Sequence, residues 1–208
     1  MSQVEWPLFI AASLLLIITP GQDMLLVMSR SIALGSRAGV VTAAGVSSGL
    51  VGHTILSAIG LGAILRASEP IFVAFKLAGA AYLIYLGIGM LRAGDGRFPV
   101  GAMPSRSPGR LFADGALSNI TNPKITIFYF AFLPQFISPG ATQPARTVLL
   151  LGLTFAALTF MVKGPVGLSA GLLSGWLRSR PSVQRWIHAC SGIMLIVLGL
   201  RLAFERRG

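Results

Sequence analysis

The chain has 208 residues, 54% of them hydrophobic and 11% charged, with 17 basic against 6 acidic side chains. A soluble domain carries about 25% charged residues, so this chain lacks the polar surface to face water all round, and its mean hydropathy of +0.77 agrees. The formal charge of +11 would suggest nucleic acid on a soluble protein, but the arginines sit in short connections between apolar runs, where they set membrane orientation.

The expected partner is therefore the lipid bilayer and not nucleic acid. Cys190 is the single cysteine, which excludes an internal disulfide and a Cys-x-x-Cys redox or zinc site. No metal and no cofactor is expected. The apolar runs reach roughly 20 residues, the length a helix needs to cross the hydrocarbon layer. They are continuous rather than alternating, so they predict helices and not a barrel.

Six such segments follow in order. The first covers residues 4–28 and is interrupted by Thr19-Pro20-Gly21. Its apolar start has the length of a signal peptide, but the first basic residue is Arg30 and no small-x-small cleavage pattern follows, so it reads as part of a span. Pro20 removes a backbone donor and disturbs the preceding turn. The freed backbone groups of such a break are tolerated in lipid where they line a cavity. Thr19, Gly21, Gln22 and Asp23 stand at this break. A charge deep within a span is costly and marks a candidate site, so Asp23 is expected to hold a substrate ammonium or to exchange a proton. The alternative is that Asp23 caps the second half-helix.

The second segment, 38–65, holds His53, which is a candidate for proton coupling or a plain helix contact. The third covers 71–91. Residues 93–110, rich in Gly, Pro, Ser and Arg, form a linker. The fourth segment, 111–137, is interrupted by Asn122-Pro123-Lys124, with Asn119 one turn before the break. Lys124 is expected to pair with Asp23 or with a substrate carboxylate. The fifth, 147–173, contains Lys163-Gly164-Pro165, another buried cation beside a break and a third candidate for proton coupling with Asp23 and His53. The sixth covers 183–204.

A shift of 103 residues places Phe9 on Phe112, Pro20 on Pro123 and Gly49 on Gly152. With three helices per half, the second copy must enter from the opposite side, giving the inverted repeat of many secondary transporters. Chance similarity between Leu- and Gly-rich helices is the alternative, and the coincidence of both prolines argues against it. The expectation is an all-α membrane protein of six transmembrane helices, built as two inverted three-helix repeats. Residues 1–92 form the first repeat, 93–110 a cytoplasmic linker, and 111–208 the second. Lys and Arg counts put the first, third and fifth connections in the cytoplasm and both termini outside, although Arg201, Arg206 and Arg207 oppose this. Gly45, Gly49, Gly167, Gly171 and Gly175 have the small-xxx-small spacing of close helix contacts, which also allows a homodimer.

These residues also carry a resemblance. Thr19 to Val27, followed by Arg30 and Gly35, resembles the opening motif of the LysE/RhtB family of amino-acid exporters. Phe112-x-x-Gly115, Asn119, Asn122-Pro123-Lys124 and Phe132-Leu133-Pro134-Gln135-Phe136 resemble that family's fourth-helix signature, and the ending from Ser191-Gly192 to Arg201 also fits it. The resemblance covers essentially the whole chain. It implies a proton-driven exporter of amino acids or small zwitterions in the cytoplasmic (inner) membrane. The two breaks and their neighbours, Thr19, Pro20, Gly21, Gln22, Asp23, Asn119, Asn122, Pro123 and Lys124, are the expected substrate site. Two residues depart from the family pattern: Gln22 stands where proline is usual, and Lys163 where an uncharged residue is common. Efflux of a cation or another metabolite is the alternative within transport. An intramembrane enzyme is disfavoured, because Ser47 and Ser48 lie on a different helical face from His53.

Overall fold

The computed structural model describes residues 4–19, 21–66, 69–92, 104–137, 143–178 and 181–204. Pro20, the distal part of the linker (93–103) and the C-terminal Arg206 and Arg207 lie outside the described residues. All regular structure among the described residues is helical, as the apolar runs predicted. The first segment is two helices, α1 (Trp6–Ile18) and α2 (Gln22–Leu34), which meet at 53°. Helices α3 (Ser36–Arg66) and α4 (Glu69–Arg92) complete the first half. The fourth segment divides into α5 (Pro108–Ile120) and the short α6 (Pro123–Ile127), continuing as a π-helical turn, Phe128–Phe132, and a 3-10 turn, Leu133–Phe136. Helices α7 (Pro144–Arg178) and α8 (Pro181–Phe204) end the chain.

Among the described residues, two stretches are long and apolar enough to cross a membrane unbroken. They are Ser36–Gly60, with mean hydropathy 1.4, and Pro144–Ser169, with 1.8; the bent pair α1 and α2 makes a third if it is one span. Their outward faces carry Ile59, Met161 and Leu168, each at least 60% exposed, as lipid-facing side chains would be.

Each boundary has a local cause. Gly35 separates α2 from α3 with φ +93°, a left-handed conformation that side chains resist, and its amide closes α2 on the Ser31 carbonyl. Pro108 opens α5 at a position where no amide partner is needed, and Ser107 caps it through the Arg110 amide. Asn122 caps α6 by accepting the Lys124 amide on its Oδ1, while Pro123 occupies the first turn. The break expected at Lys163-Gly164-Pro165 does not occur: α7 runs unbroken through Pro165. Neighbouring helices can satisfy the carbonyl that a membrane proline frees, so proline alone does not end a packed helix.

Helix α3 packs against α5 and α7, and α4 against α8. Glycines set the separation. A Cβ on Gly45 would strike the Phe112 carbonyl, one on Gly115 the Thr42 carbonyl, and one on Gly39 the Gly167 carbonyl. Gly87 and Gly192 meet in the same way between α4 and α8. The small-residue spacing at Gly45, Gly49 and Gly167 therefore works within the chain. The surroundings of Gly171 and Gly175 lie outside the described residues. An apolar core of Phe9, Leu16, Leu50, Tyr129, Leu151 and Phe155 fills the space beside the two breaks.

Candidate functional site

Helix α2 is the centre of the polar arrangement. Asp23 lies in its first turn, where the helix dipole favours a negative charge, and is 2% exposed. Its carboxylate takes hydrogen bonds from two helices. From α5, Asn119 Nδ2 donates to Oδ2 at 2.7 Å and Ser118 Oγ donates to Oδ1 at 3.2 Å. From α7, Lys163 Nζ approaches Oδ2 at 3.4 Å. Gln22 Nε2 donates to the carbonyl and the Oγ of Ser118, each at 3.3 Å, so the residue that departs from the family pattern orients a ligand of Asp23.

Lys124 is not seated on Asp23, one of the two partners the sequence suggested for it. Its Nζ donates to the carbonyls of Leu16 at 3.1 Å and Thr19 at 3.4 Å. The last carbonyls of a helix have no partner within it and form its negative pole, so the lysine of the second break closes the open end of the first. The cation on Asp23 is Lys163, not Lys124. Thr19 Oγ1 turns back onto the Leu15 carbonyl at 2.7 Å.

His53 is 4% exposed. Its Nε2 donates to the Asn119 carbonyl at 3.2 Å, since a carbonyl can only accept, and its ring stacks on Tyr129. Tyr129 is held in turn by Thr54 and the Leu50 carbonyl. His53 thus fixes the last turn of α5, from which Asn119 reaches Asp23.

A cavity lies between these groups, lined by Thr19, Gly21, Asp23, Asn119, Asn122, Lys124 and Lys163 on its polar side and by Leu16, Leu50 and Phe155 on its apolar side. It is partly open and leaves about 20 Å³ to the centre of a water molecule, room for about one water. Asn119 Oδ1, which lies against Gly49 of α3, is buried without a hydrogen-bond partner, in a residue 0% exposed. Such an acceptor costs about 1–3 kcal/mol.

Of the residues expected at the site, Thr19, Gly21, Asp23, Asn119, Asn122, Lys124 and Lys163 line one cavity. Gln22 and His53 act behind it, Pro123 begins α6, and Pro20 lies outside the described residues. Sequence reasoning missed Ser118, which donates to Asp23, and Thr159, which also lines the cavity. Thr159 was within reach, because Phe155, Thr159 and Lys163 recur every four residues, the spacing of one helix face.

A second cluster joins α2 to α5 two turns away. Asp114 Oδ2 receives Arg30 at 3.2 Å and Arg106 at 2.7 Å, and its Oδ1 receives Arg110 at 3.2 Å. Ser31 Oγ donates to the Gly167 carbonyl of α7. Helix α2 is therefore tied to both α5 and α7 at each of its ends.

Apolar helices that enclose buried charges beside two chain breaks fit a membrane transporter, and the family and relatives that follow point to a transporter and not an enzyme. Residues 14–206 match the LysE type translocator family, and the chain belongs to it. It is 34% identical over 201 residues to a homoserine/homoserine lactone efflux protein of Salmonella typhimurium, covering 97% of each chain. It is 29% identical over 205 residues to an uncharacterized membrane protein of Bacillus subtilis, covering 93% of this chain and 95% of the relative. A leucine efflux protein of Klebsiella pneumoniae is 26% identical over 199 residues, covering 94% and 92%. No solved structure matches the chain.

Proposed function

We propose that this protein exports an amino acid or a close zwitterionic derivative from the cytoplasm across the inner membrane, by proton antiport, from the cavity between the two breaks. The observation that carries the reading is a buried carboxylate, Asp23, set against the buried Lys163 of α7 and the half-buried Lys124, where α1 ends and α6 begins. A zwitterion needs one partner of each sign. Its ammonium meets Asp23 and its carboxylate meets Lys124, with Thr19, Gly21, Asn119 and Asn122 around them; Pro20 and Pro123 create the breaks.

Substrate ammonium and proton compete for Asp23, which is the requirement of antiport. Lys163 from α7 faces the carboxylate directly, Lys124 from α6 lines the same cavity, and His53 from α3 acts through Asn119. These are the candidate coupling groups. In the proposed cycle two inverted three-helix halves rock about the breaks, a reading supported by the packing of α3 on α7 and α4 on α8. Those are corresponding helices of the two halves. Arg30 near the end of α2, Arg106 just before α5 and Arg110 in its first turn share Asp114, which supports placing the first and third connections on one side, the cytoplasm, with both termini outside.

The test is a growth screen with overexpressed protein. Cells are challenged with inhibitory amino acids, lactones and dipeptides, and export is measured from cells loaded with whichever compound shows relief. Relief by at least one amino acid, lost in Asp23→Asn, is expected. No relief by any of them sinks the substrate class.

A further inference from the structure

We propose that the carbonyl end of α1 is a binding site for a monovalent cation, and that the chain supplies that ion itself, as the Lys124 ammonium. With Lys124 removed, the same oxygens take a sodium ion from solution.

The site follows from Pro20. In a helix each carbonyl accepts the amide four residues on, so the Leu16 carbonyl would turn to residue 20, and proline has no amide to give. The Leu15 carbonyl, one residue earlier, is served in the ordinary way by the Thr19 amide at 3.1 Å and also by Thr19 Oγ1. The orphaned Leu16 carbonyl takes Lys124 Nζ at 3.1 Å instead, and the Thr19 carbonyl takes it at 3.4 Å. Both oxygens belong to the negative pole of α1. In broken helices of secondary transporters, carbonyls of this kind coordinate a sodium ion.

The second break differs. Pro123 orphans the Asn119 carbonyl in the same way, but there the Asn122 amide at 3.0 Å and His53 Nε2 at 3.2 Å donate to it. Among the described residues no such N–H from backbone or imidazole reaches the Leu16 carbonyl, and an ammonium stands in its place. Lys124 is available for this because Asp23 already has its cation, Lys163 at 3.4 Å. Among the described residues Lys124 has no carboxylate partner of its own. Its ammonium is therefore a tethered ion on neutral oxygens. Leu16 and Thr19 line one cavity with Asp23, Asn122 and Thr159, and the cavity has room for about one water. Oxygen groups of these kinds and a water suit a small hard cation, and removing the lysine stem makes the space for it. A break that carries its own ion needs no sodium from solution, so, on the exporter reading, transport is independent of sodium.

The experiment is thermal unfolding of purified full-length protein in sodium chloride and in N-methyl-D-glucamine chloride of equal ionic strength. Lys124→Ala, expressed and purified in sodium, is expected to melt about 3–6 °C higher in sodium once the ion exceeds its dissociation constant about tenfold. Wild type is expected to melt alike in the two salts. Adding Pro20→Ala to Lys124→Ala returns an amide to the Leu16 carbonyl and is expected to abolish the sodium response. A Lys124→Ala protein that melts alike in both salts, or that fails to fold even in sodium, overturns the assignment. So does a wild type that shares the response, or a double variant that keeps it. Because melting and not transport is read, a failed growth screen leaves the cation site standing, and a missing sodium response leaves the exporter standing.

Discussion

Removing the cation from Asp23 gives the sharpest energetic consequence. The side chains of Lys163 and Asp23 are 7% and 3% exposed and 3.4 Å apart. Taking away one member of a buried pair costs about 3–5 kcal/mol, because the other is left charged and unpaired, whereas replacing both by neutral groups of similar volume is often close to neutral. Lys163→Met leaves Asp23 with Asn119 and Ser118 as donors but no cation from α7. Asp23→Asn leaves the Lys163 ammonium in the same cavity as Lys124 with no anion between them. Each single variant is expected to lose about 3 kcal/mol or more, and the double variant Asp23→Asn/Lys163→Met less than the larger single loss. The assay is a double-mutant cycle on unfolding of the purified protein in mild detergent. Strictly additive losses would show that the two residues do not act on each other, and the account of the site would fall.

Three further outcomes follow from other contacts. Gly45→Ala drives a methyl into the Phe112 carbonyl and should destabilise by about 1–3 kcal/mol or more, whereas Gly52→Ala meets nothing within 4 Å and should be silent in the same unfolding assay. Asp114→Asn removes the shared partner of three arginines and should lower thermal stability by several degrees. Arg110→Gln, whose side chain is 69% exposed, should cost under about 1 kcal/mol. His53→Leu removes the donor to the Asn119 carbonyl and should raise the substrate KM, with His53→Gln recovering most of it; equal defects in the two would assign His53 a role other than positioning.

Much of this was legible in the sequence, for a physical reason. A proline flanked by Thr, Gln, Asp, Asn or Lys inside an apolar run has few stable explanations in lipid, so both breaks and the residues beside them stood out. The partners did not. Lys163 is 140 residues from Asp23 and Ser118 is 95, and helical periodicity gives the face of a helix but not which helix it meets. Lys124 was a candidate partner of Asp23, but sequence does not reveal where the orphan carbonyls of α1 point, and Lys124 meets those instead. Pro165 was read as a break, but a helix packed along its length against α3 and α2 keeps its course through one proline. Arg30, Arg106 and Arg110 were legible as orientation charges, and their convergence on Asp114 emerges only when α2 and α5 lie side by side.

The central claim is that substrate and proton exchange at Asp23. It is tested most directly in proteoliposomes loaded with the compound identified by the growth screen, with a pH gradient imposed and efflux followed alongside an internal pH dye. Wild type should couple efflux to proton entry, and Asp23→Asn should show neither above empty vesicles. Gradient-driven efflux that persists in Asp23→Asn would contradict the account.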